Sequence, residues 1–273
     1  MSWLPELFTA PTLEHIRTSA RAGIASVPYF QGLASGETEA LVRSFAGEPE
    51  LHHPAYGRVR GRRAFEQFVA ETNAWLFERR AVFHDADRVV TPGRGIEETM
   101  ISLDSENGRV ELPVAVAADR DDRAHIIELR VYFSTWATTG RHTSRTRMLQ
   151  PDRDLDPPGV VGEYQRALAA GDVDAVVATL EPDAYLREPS GQTYLHRGHA
   201  ELRALYERFF SDGGGIEREH CAVTDDGHAC ALEYNVVRWG RRELPPVPGI
   251  VVHERGDTGK LAAVRIYDDA DPP

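Results

Sequence analysis

The chain repeats itself. Tyr29-Phe30-Gln31-Gly32-Leu33-Ala34-Ser35-Gly36-Glu37 resembles Tyr164-Gln165-Arg166-Ala167-Leu168-Ala169-Ala170-Gly171-Asp172 at an offset of 135 residues. The same offset carries Leu51 to Leu186, Pro54 to Pro189, and Leu129-Arg130-Val131-Tyr132 to Val264-Arg265-Ile266-Tyr267. Arg60-Gly61 matches Arg197-Gly198 after a two-residue gap. Landmarks this far apart, kept in order, mark duplication of a whole domain rather than a short solenoid unit. The 273 residues, room for roughly two domains, are therefore two copies of one fold. The polar, proline-bearing run through Gln150-Pro151-Asp152 and Asp156-Pro157-Pro158 reads as the connection. The expected division is a first domain over 1–145, a linker over 146–158 and a second domain over 159–273.

Within each copy the elements run helices first, strands after. From Gly159 to Ala170, Val160, Val161, Tyr164, Ala167 and Leu168 recur at helical spacing. Gly171 supplies the left-handed residue that ends such a helix, and Asp172 caps the next one through Val173, Val176, Val177 and Leu180. A short strand over 183–188 ends at Pro189-Ser190-Gly191, and a third helix spans about 200–210. Four strands are predicted at 217–224, 228–239, 249–255 and 261–268. The first copy gives helices over 13–33, 37–45 and 64–77, with strands over 96–104, 109–117 and 124–133. Three helices followed by a run of strands is an α+β pattern, helices covering one face of a curved antiparallel sheet. The βα alternation of a dinucleotide-binding fold is missing.

Charge and composition narrow the partners. The formal net charge of −12, without a basic cluster, disfavours a nucleic-acid partner. No apolar run reaches the roughly 18–20 residues that span a bilayer, and Met1-Ser2-Trp3-Leu4-Pro5-Glu6 lacks a signal-peptide layout. A cytoplasmic protein is the default expectation. Lys260 is the one lysine among 31 basic residues, a bias typical of a GC-rich genome. Cys221 and Cys230 flank an Asp226-Gly227 turn that would set Val223 opposite Cys230, an awkward geometry for a disulfide. They read as buried free thiols, with too few ligands at metal-binding spacing.

Tyr164-(x)7-Asp172, Asp183-Ala184-Tyr185-Leu186-Arg187-Glu188-Pro189-Ser190-Gly191, His196-Arg197-Gly198 and Leu202-(x)3-Tyr206 together resemble the nuclear transport factor 2-like superfamily. Among its members the chain is similar to the bacterial ketosteroid isomerases and the SnoaL-like polyketide cyclases. The resemblance covers most of the second half and, more weakly, nearly all of the first. It implies two cone-shaped α+β barrels, each with a pocket between sheet and helices, duplicated in one chain. It places Glu188 at the general-base position, Tyr164 at the oxyanion tyrosine and Tyr206 at a supporting tyrosine. A carboxylate in an apolar cone shuttles protons near neutrality, and a phenol stabilises an enolate in a dry site. The protonated acid that completes the isomerase oxyanion hole has no counterpart in Pro248-Gly249-Ile250-Val251-Val252. In the first half Tyr29 keeps its place, His53 occupies the base position beside His52, and Glu111 begins the late strand. Histidine shuttles protons near neutrality without tuning.

Other residues carry two readings. Tyr29 and Tyr164 also suit plain packing of an amphipathic ring, and Glu188 also suits a solvated strand end. His52 and His53, adjacent on a strand, point to opposite faces, which argues against a two-histidine metal site. Glu98 and Glu233, with Asn235 two residues on, line the pockets on one reading and face outward on the other. Arg130 and Arg265 suit ion pairs. The acidic run from Asp268 to Pro273 is expected in solvent, and Gly213-Gly214-Gly215 is expected as a flexible connection. Superfamily members commonly dimerise through the open sheet face, so the duplication implies an intramolecular pseudo-dimer, with further oligomerisation open. The expectation is a cofactor- and metal-independent isomerase or cyclase. It would act by proton transfer on an apolar, carbonyl-bearing molecule, polyketide- or steroid-like. A binding protein without turnover, and a hydrolase or dehydratase using a pocket water, are the alternatives.

Overall fold

The structure is a computed structural model that describes residues 29–105, 108–143, 145–190 and 194–271. It divides into two compact units, Met1–Gly140 and Arg141–Pro273. In the first, α1 (Tyr29–Ser35), α2 (Thr38–Arg43), β1 (Glu50–His53), β2 (Gly57–Arg60) and α3 (Arg62–Glu78) precede four strands. These are β3 (Val82–Thr91), β4 (Arg94–Ser105), β5 (Gly108–Arg120) and β6 (Ile126–Tyr132), closed by α4 (Trp136–Thr139). In the second, α5 (Val160–Ala170), α6 (Val173–Ala178), β7 (Leu180–Arg187), β8 (Leu195–Arg197) and α7 (Gly198–Phe209) lead into β9 (Ile216–Asp225), β10 (Ala229–Trp239), β11 (Arg242–Arg255) and β12 (Leu261–Tyr267).

The duplication is written into the hydrogen-bond ladders. The sheets run β2-β1-β6-β5-β4-β3 and β8-β7-β12-β11-β10-β9, antiparallel apart from the pairs β1–β6 and β7–β12. Leu51 pairs with Leu129 as Leu186 pairs with Val264. Ala115 pairs with Tyr132 as Ile250 pairs with Tyr267. Phe83 pairs with Ile101 as Arg218 pairs with Val236. Each second-unit pair is the first-unit pair moved by the sequence offset. Pairing fixes which face every side chain takes, so residues matched in sequence occupy the same face of each sheet.

One face of each sheet meets the helices. Leu51, Ile101, Leu103, Leu112, Val114, Val116, Leu129 and Val131 pack there with Tyr29, Leu33, Phe65, Phe68 and Val69 of the helices. In the second unit Leu186, Leu232, Val251 and Val264 meet Val161, Tyr164, Leu168, Leu202, Leu205 and Tyr206. Gly171 ends α5 at φ 71°, and the Asp172 carboxylate accepts from Ala175 N at 2.9 Å to start α6.

Several local expectations change. The helix predicted over 13–33 lies outside the described residues except for α1. β3 has too much polarity for a buried-strand pattern and lies at the sheet edge. β11 begins before Pro245-Pro246, which fall where its pairing with β10 shifts between Val236 and Arg238, a bulge that tolerates missing donors. Cys230 faces Asp225 rather than Val223. The turn is longer because the Asp226 carboxylate accepts from His228 N and Ala229 N. Both cysteines are free, Cys230 buried and Cys221 half-buried. Burial pushes the Cys230 thiol up to about 12. Gly215 is a packing residue rather than slack: a Cβ there would lie 2.0 Å from the Leu168 carbonyl oxygen. Asp268 and Asp269 of the acidic run are buried, not solvated.

Candidate functional site

In the first unit a cavity of about 310 Å³ opens between α1, α3, α4 and the sheet. Phe30, Leu33, Trp75, Leu76, Val114 and Phe133 supply apolar wall. The polar groups are few: His53, Tyr29, Tyr56, Thr72 and the α4 threonines. His53 reaches it because β1 alternates: Leu51 and His53 point to the helices, while His52 points away toward Glu50 and Glu128. Phe68, Tyr56 and Phe133 surround the His53 ring at centroid distances of 5.1, 5.3 and 5.3 Å. Ala55 N donates to His53 Nδ1 at 3.2 Å. That contact makes Nδ1 the acceptor, so the neutral ring carries its hydrogen on Nε2. Thr72 Oγ1 is buried without a hydrogen-bond partner among the described residues, a group a ligand oxygen or amide would satisfy. Burial, and then the neighbouring Tyr56, hold the Tyr29 phenol well above the usual range, so it remains a donor.

The same space in the second unit is built from polar side chains. Tyr164 and Tyr206, both fully buried, join hydroxyl to hydroxyl at 2.8 Å. Tyr234 donates to Asp268 at 2.6 Å, and the Arg218 guanidinium lies 4.2 Å from the centre of the Tyr234 ring. Tyr234 fits because Gly249 leaves its ring room: a Cβ there would come within 2.9 Å of it. Gln165 Nε2 meets His253 Nε2 at 3.1 Å. Burial first, then the charge of Arg218, holds His253 down at about 3 and His220 at about 4, so both are neutral at pH 7. Burial raises the Asp268 carboxyl, against Arg218 and the Tyr234 hydrogen bond.

Glu188, the residue after β7, alternates onto the same side as Leu186, but it is engaged. His196 Nε2 contacts its Oε1 at 2.6 Å and Arg208 Nη2 donates to the same oxygen at 3.2 Å. Glu188 lines neither the first-unit cavity nor the groove described below. Tyr206 and Tyr164 come together; Tyr29 and His53 come together. Glu98, Glu233 and Asn235 correct the pocket-lining reading. They sit cross-strand from Ala115, Ile250 and Pro248, on the sheet face turned away from the helices. Asn235 Nδ2 instead donates to Cys221 Sγ at 3.2 Å. Arg130 pairs with Asp119 and Glu128 at 2.6 and 2.8 Å, and Arg265 with Glu254 at 2.8 Å.

Sequence reasoning missed Thr72, Trp75 and Tyr56 in the first unit and Arg218, Tyr234, His253 and Asp268 in the second. Period-two spacing in Ile216-Glu217-Arg218-Glu219-His220 would have put Arg218 and His220 on the face of Ile216. The donor atoms of Glu50, His52 and Glu128 lie within 4.8 Å of one another, a spacing a metal ion could use. Arg58 and Arg130 already donate to the two carboxylates, at 2.7 and 2.8 Å, supplying the positive charge.

Residues 161–264 match the SnoaL-like domain family. The second unit is thus a SnoaL-like domain, and the first repeats its strand order and pairings. No curated protein sequence matches the chain. Among solved structures, a proposed polyketide cyclase from Sinorhizobium meliloti is similar at 24% identity over 41% of this chain and 95% of that one, with a TM-score of 0.35. The epoxide hydrolase/cyclase-like enzyme SalBIII, of pyran-ring formation in salinomycin, is similar at 23% identity over 40% of this chain and 87% of that one, TM-score 0.34. An NTF2-like protein of unknown function from Cytophaga hutchinsonii is similar at 15% identity over 45% of this chain and 95% of that one, TM-score 0.33.

Proposed function

We propose that the first unit binds an apolar, carbonyl-bearing small molecule and that His53 moves protons on it, in a cofactor-independent isomerisation or cyclisation. The observation that carries this reading is the apolar cavity of about 310 Å³ with an imidazole in its wall, at the lower end of the range for small-molecule sites. His53 Nε2–H would donate to the carbonyl oxygen, polarising it in a water-poor site. As charge develops on that oxygen the imidazole gives up its proton. A cavity water takes the proton from the carbon acidified by the carbonyl and returns one to Nε2, so no net proton is consumed. Tyr29 and Thr72 would hold the oxygen and orient the carbon skeleton.

Binding without turnover is the second reading, favoured because no carboxylate stands among the lining residues as a partner base. A panel of enones and aromatic polyketides, with the fluorescence of Trp75 reporting occupancy, separates the two. His53→Gln keeps a donor but cannot shuttle protons, so it should bind and fail to turn over. Equal turnover by wild type and His53→Gln would remove His53 from the chemistry. Loss of turnover in Glu188→Gln alone would move it to the second unit. Occupancy without turnover in the wild type would leave a binding protein. Native mass spectrometry of the purified protein would identify a co-purified ligand directly.

A further inference from the structure

A second recess lies on the other unit. Between α5, β9 and the segment before α5 is a groove of about 160 Å³, walled by Leu155, Pro157 and Ile216 and floored by Gln165, Arg218 and His220. Arg218 Nε and Nη1 are buried and have no hydrogen-bond partner among the described residues. The charge of Asp268 acts on Arg218, but neither carboxylate nearby hydrogen-bonds it. Asp268 accepts from Tyr234 at 2.6 Å. Asp156, at the rim, is exposed and lies 3.6 Å from Arg166. Buried guanidinium donors without acceptors are costly, and a protein that keeps them gains by meeting an anion there.

We infer that this groove is a ligand site in which Arg218 receives the carboxylate of an organic acid whose apolar body lies on Leu155, Pro157 and Ile216. Nη2 with either Nε or Nη1 makes a planar fork that matches a carboxylate in two parallel hydrogen bonds. Arg218 is half-buried, and the Arg166 guanidinium at the rim is already paired with Asp156, so one uncommitted cation beside a neutral imidazole, His220, balances a monoanion rather than a phosphate dianion. The ring of Tyr234 beneath the guanidinium fixes its plane. This site is separate from the first-unit cavity in lining and in chemistry.

Calorimetric titration and thermal melts of the full chain, with benzoate, its neutral isostere benzamide and inorganic phosphate, test it. Benzoate should bind and raise Tm, benzamide should not, and benzoate binding should survive His53→Gln. Arg218→Lys should weaken benzoate about tenfold or more through loss of the fork. Arg218→Met should abolish binding while raising the ligand-free Tm, because it removes buried unpaired donors. If the Met variant fails to fold, Arg218→Lys decides alone. No benzoate binding at millimolar concentration, binding unchanged in either Arg218 variant, or benzamide binding as tightly as benzoate would overturn the site. Phosphate binding more tightly than benzoate would overturn the carboxylate assignment.

Discussion

Two copies of one fold have taken opposite solutions to the same interior. Residues matched by the duplication stand at matched ladder positions, yet Phe30, Phe83, Thr99 and Phe133 of the first unit answer to Gln165, Arg218, Tyr234 and Asp268 of the second. After the two-residue gap, Val69 answers to Tyr206. Where the first unit kept apolar side chains that leave about 310 Å³ open, the second put hydroxyls, an amide and a guanidinium into contact with one another. An apolar wall makes few directional demands and tolerates a void of ligand shape. A buried polar network must be closed, because each unmet donor or acceptor is expensive. Arg218, two of whose buried nitrogens have no hydrogen-bond partner among the described residues, opens on a groove.

The comparison implies different failure modes. The largest effect is expected from Phe68→Ala in the first unit. Phe68 is buried and packs edge-on against His53 at 5.1 Å and Tyr56 at 5.1 Å. Its truncation should cost about 3–5 kcal/mol by leaving more empty space beside an existing cavity. Chemical denaturation with hydrogen exchange should show the loss over 29–140. Equal loss of protection over 141–271 would break the picture of two separable cores.

Acid should act on the other unit. His253 is buried with its pKa held at about 3, first by burial and then by Arg218; the matching residue in the first unit is Ala118. The unfolded chain takes up that proton near pH 6.5, while the folded one resists until about pH 3. Stability is therefore intact above about pH 6.5 and falls as pH drops through the window between the two values. The slope for this histidine is up to about 1.4 kcal/mol per pH unit. Hydrogen exchange at pH 4–6 should show protection lost first over 141–271, and His253→Gln should flatten that dependence. An unchanged slope in the variant would assign the acid sensitivity elsewhere.

How far these features were legible follows from what sequence periodicity encodes. The duplication, the helix end at Gly171 and the cap at Asp172 are local or repeat signals, and residue order alone carries them. Period two also separates the faces of β10, but it cannot say which face meets the helices. That choice depends on pairing with β11 and β12, and so Glu98, Glu233 and Asn235 stayed ambiguous. Asp268 looked like tail because its partner, Tyr234, is distant in sequence. The cavity itself is an absence of side-chain volume, the sum of many small differences between the copies. No single residue announces it.

Tyr164 and Tyr29, matched by the repeat, give the next test. Tyr164→Phe removes one end of a 2.8 Å bond and leaves the Tyr206 hydroxyl buried alone, a loss of about 1–3 kcal/mol. The Tyr29 hydroxyl has no hydrogen-bond partner among the described residues, so Tyr29→Phe should change stability by no more than about 0.5 kcal/mol. Its effect should instead fall on ligand occupancy of the cavity. Equal destabilisation by the two substitutions, measured side by side in urea, would mean that the first-unit tyrosine is as fully committed to packing as the second.

The smallest expected difference lies at the helix starts. Asp172 has an extended backbone, with φ −92° and ψ 98°, and its carboxylate accepts from Ala175 N at 2.9 Å. The matching Glu37 makes no side-chain cap bond at the start of α2. One methylene longer, its carboxylate cannot close the short ring that an aspartate closes onto the third amide of the helix. Asp172→Ala should therefore cost about 1 kcal/mol, while Glu37→Ala stays within about 0.5 kcal/mol of wild type. Glu37→Asp gives the sharper arm. Provided the backbone at that position moves to the extended region that Asp172 already occupies, it should gain a cap and raise the Tm of the first unit slightly. If Asp172→Ala proves neutral, the carboxylate bond contributes nothing beyond what water supplies. Tertiary packing of Val176 and Val177 alone would then hold α6.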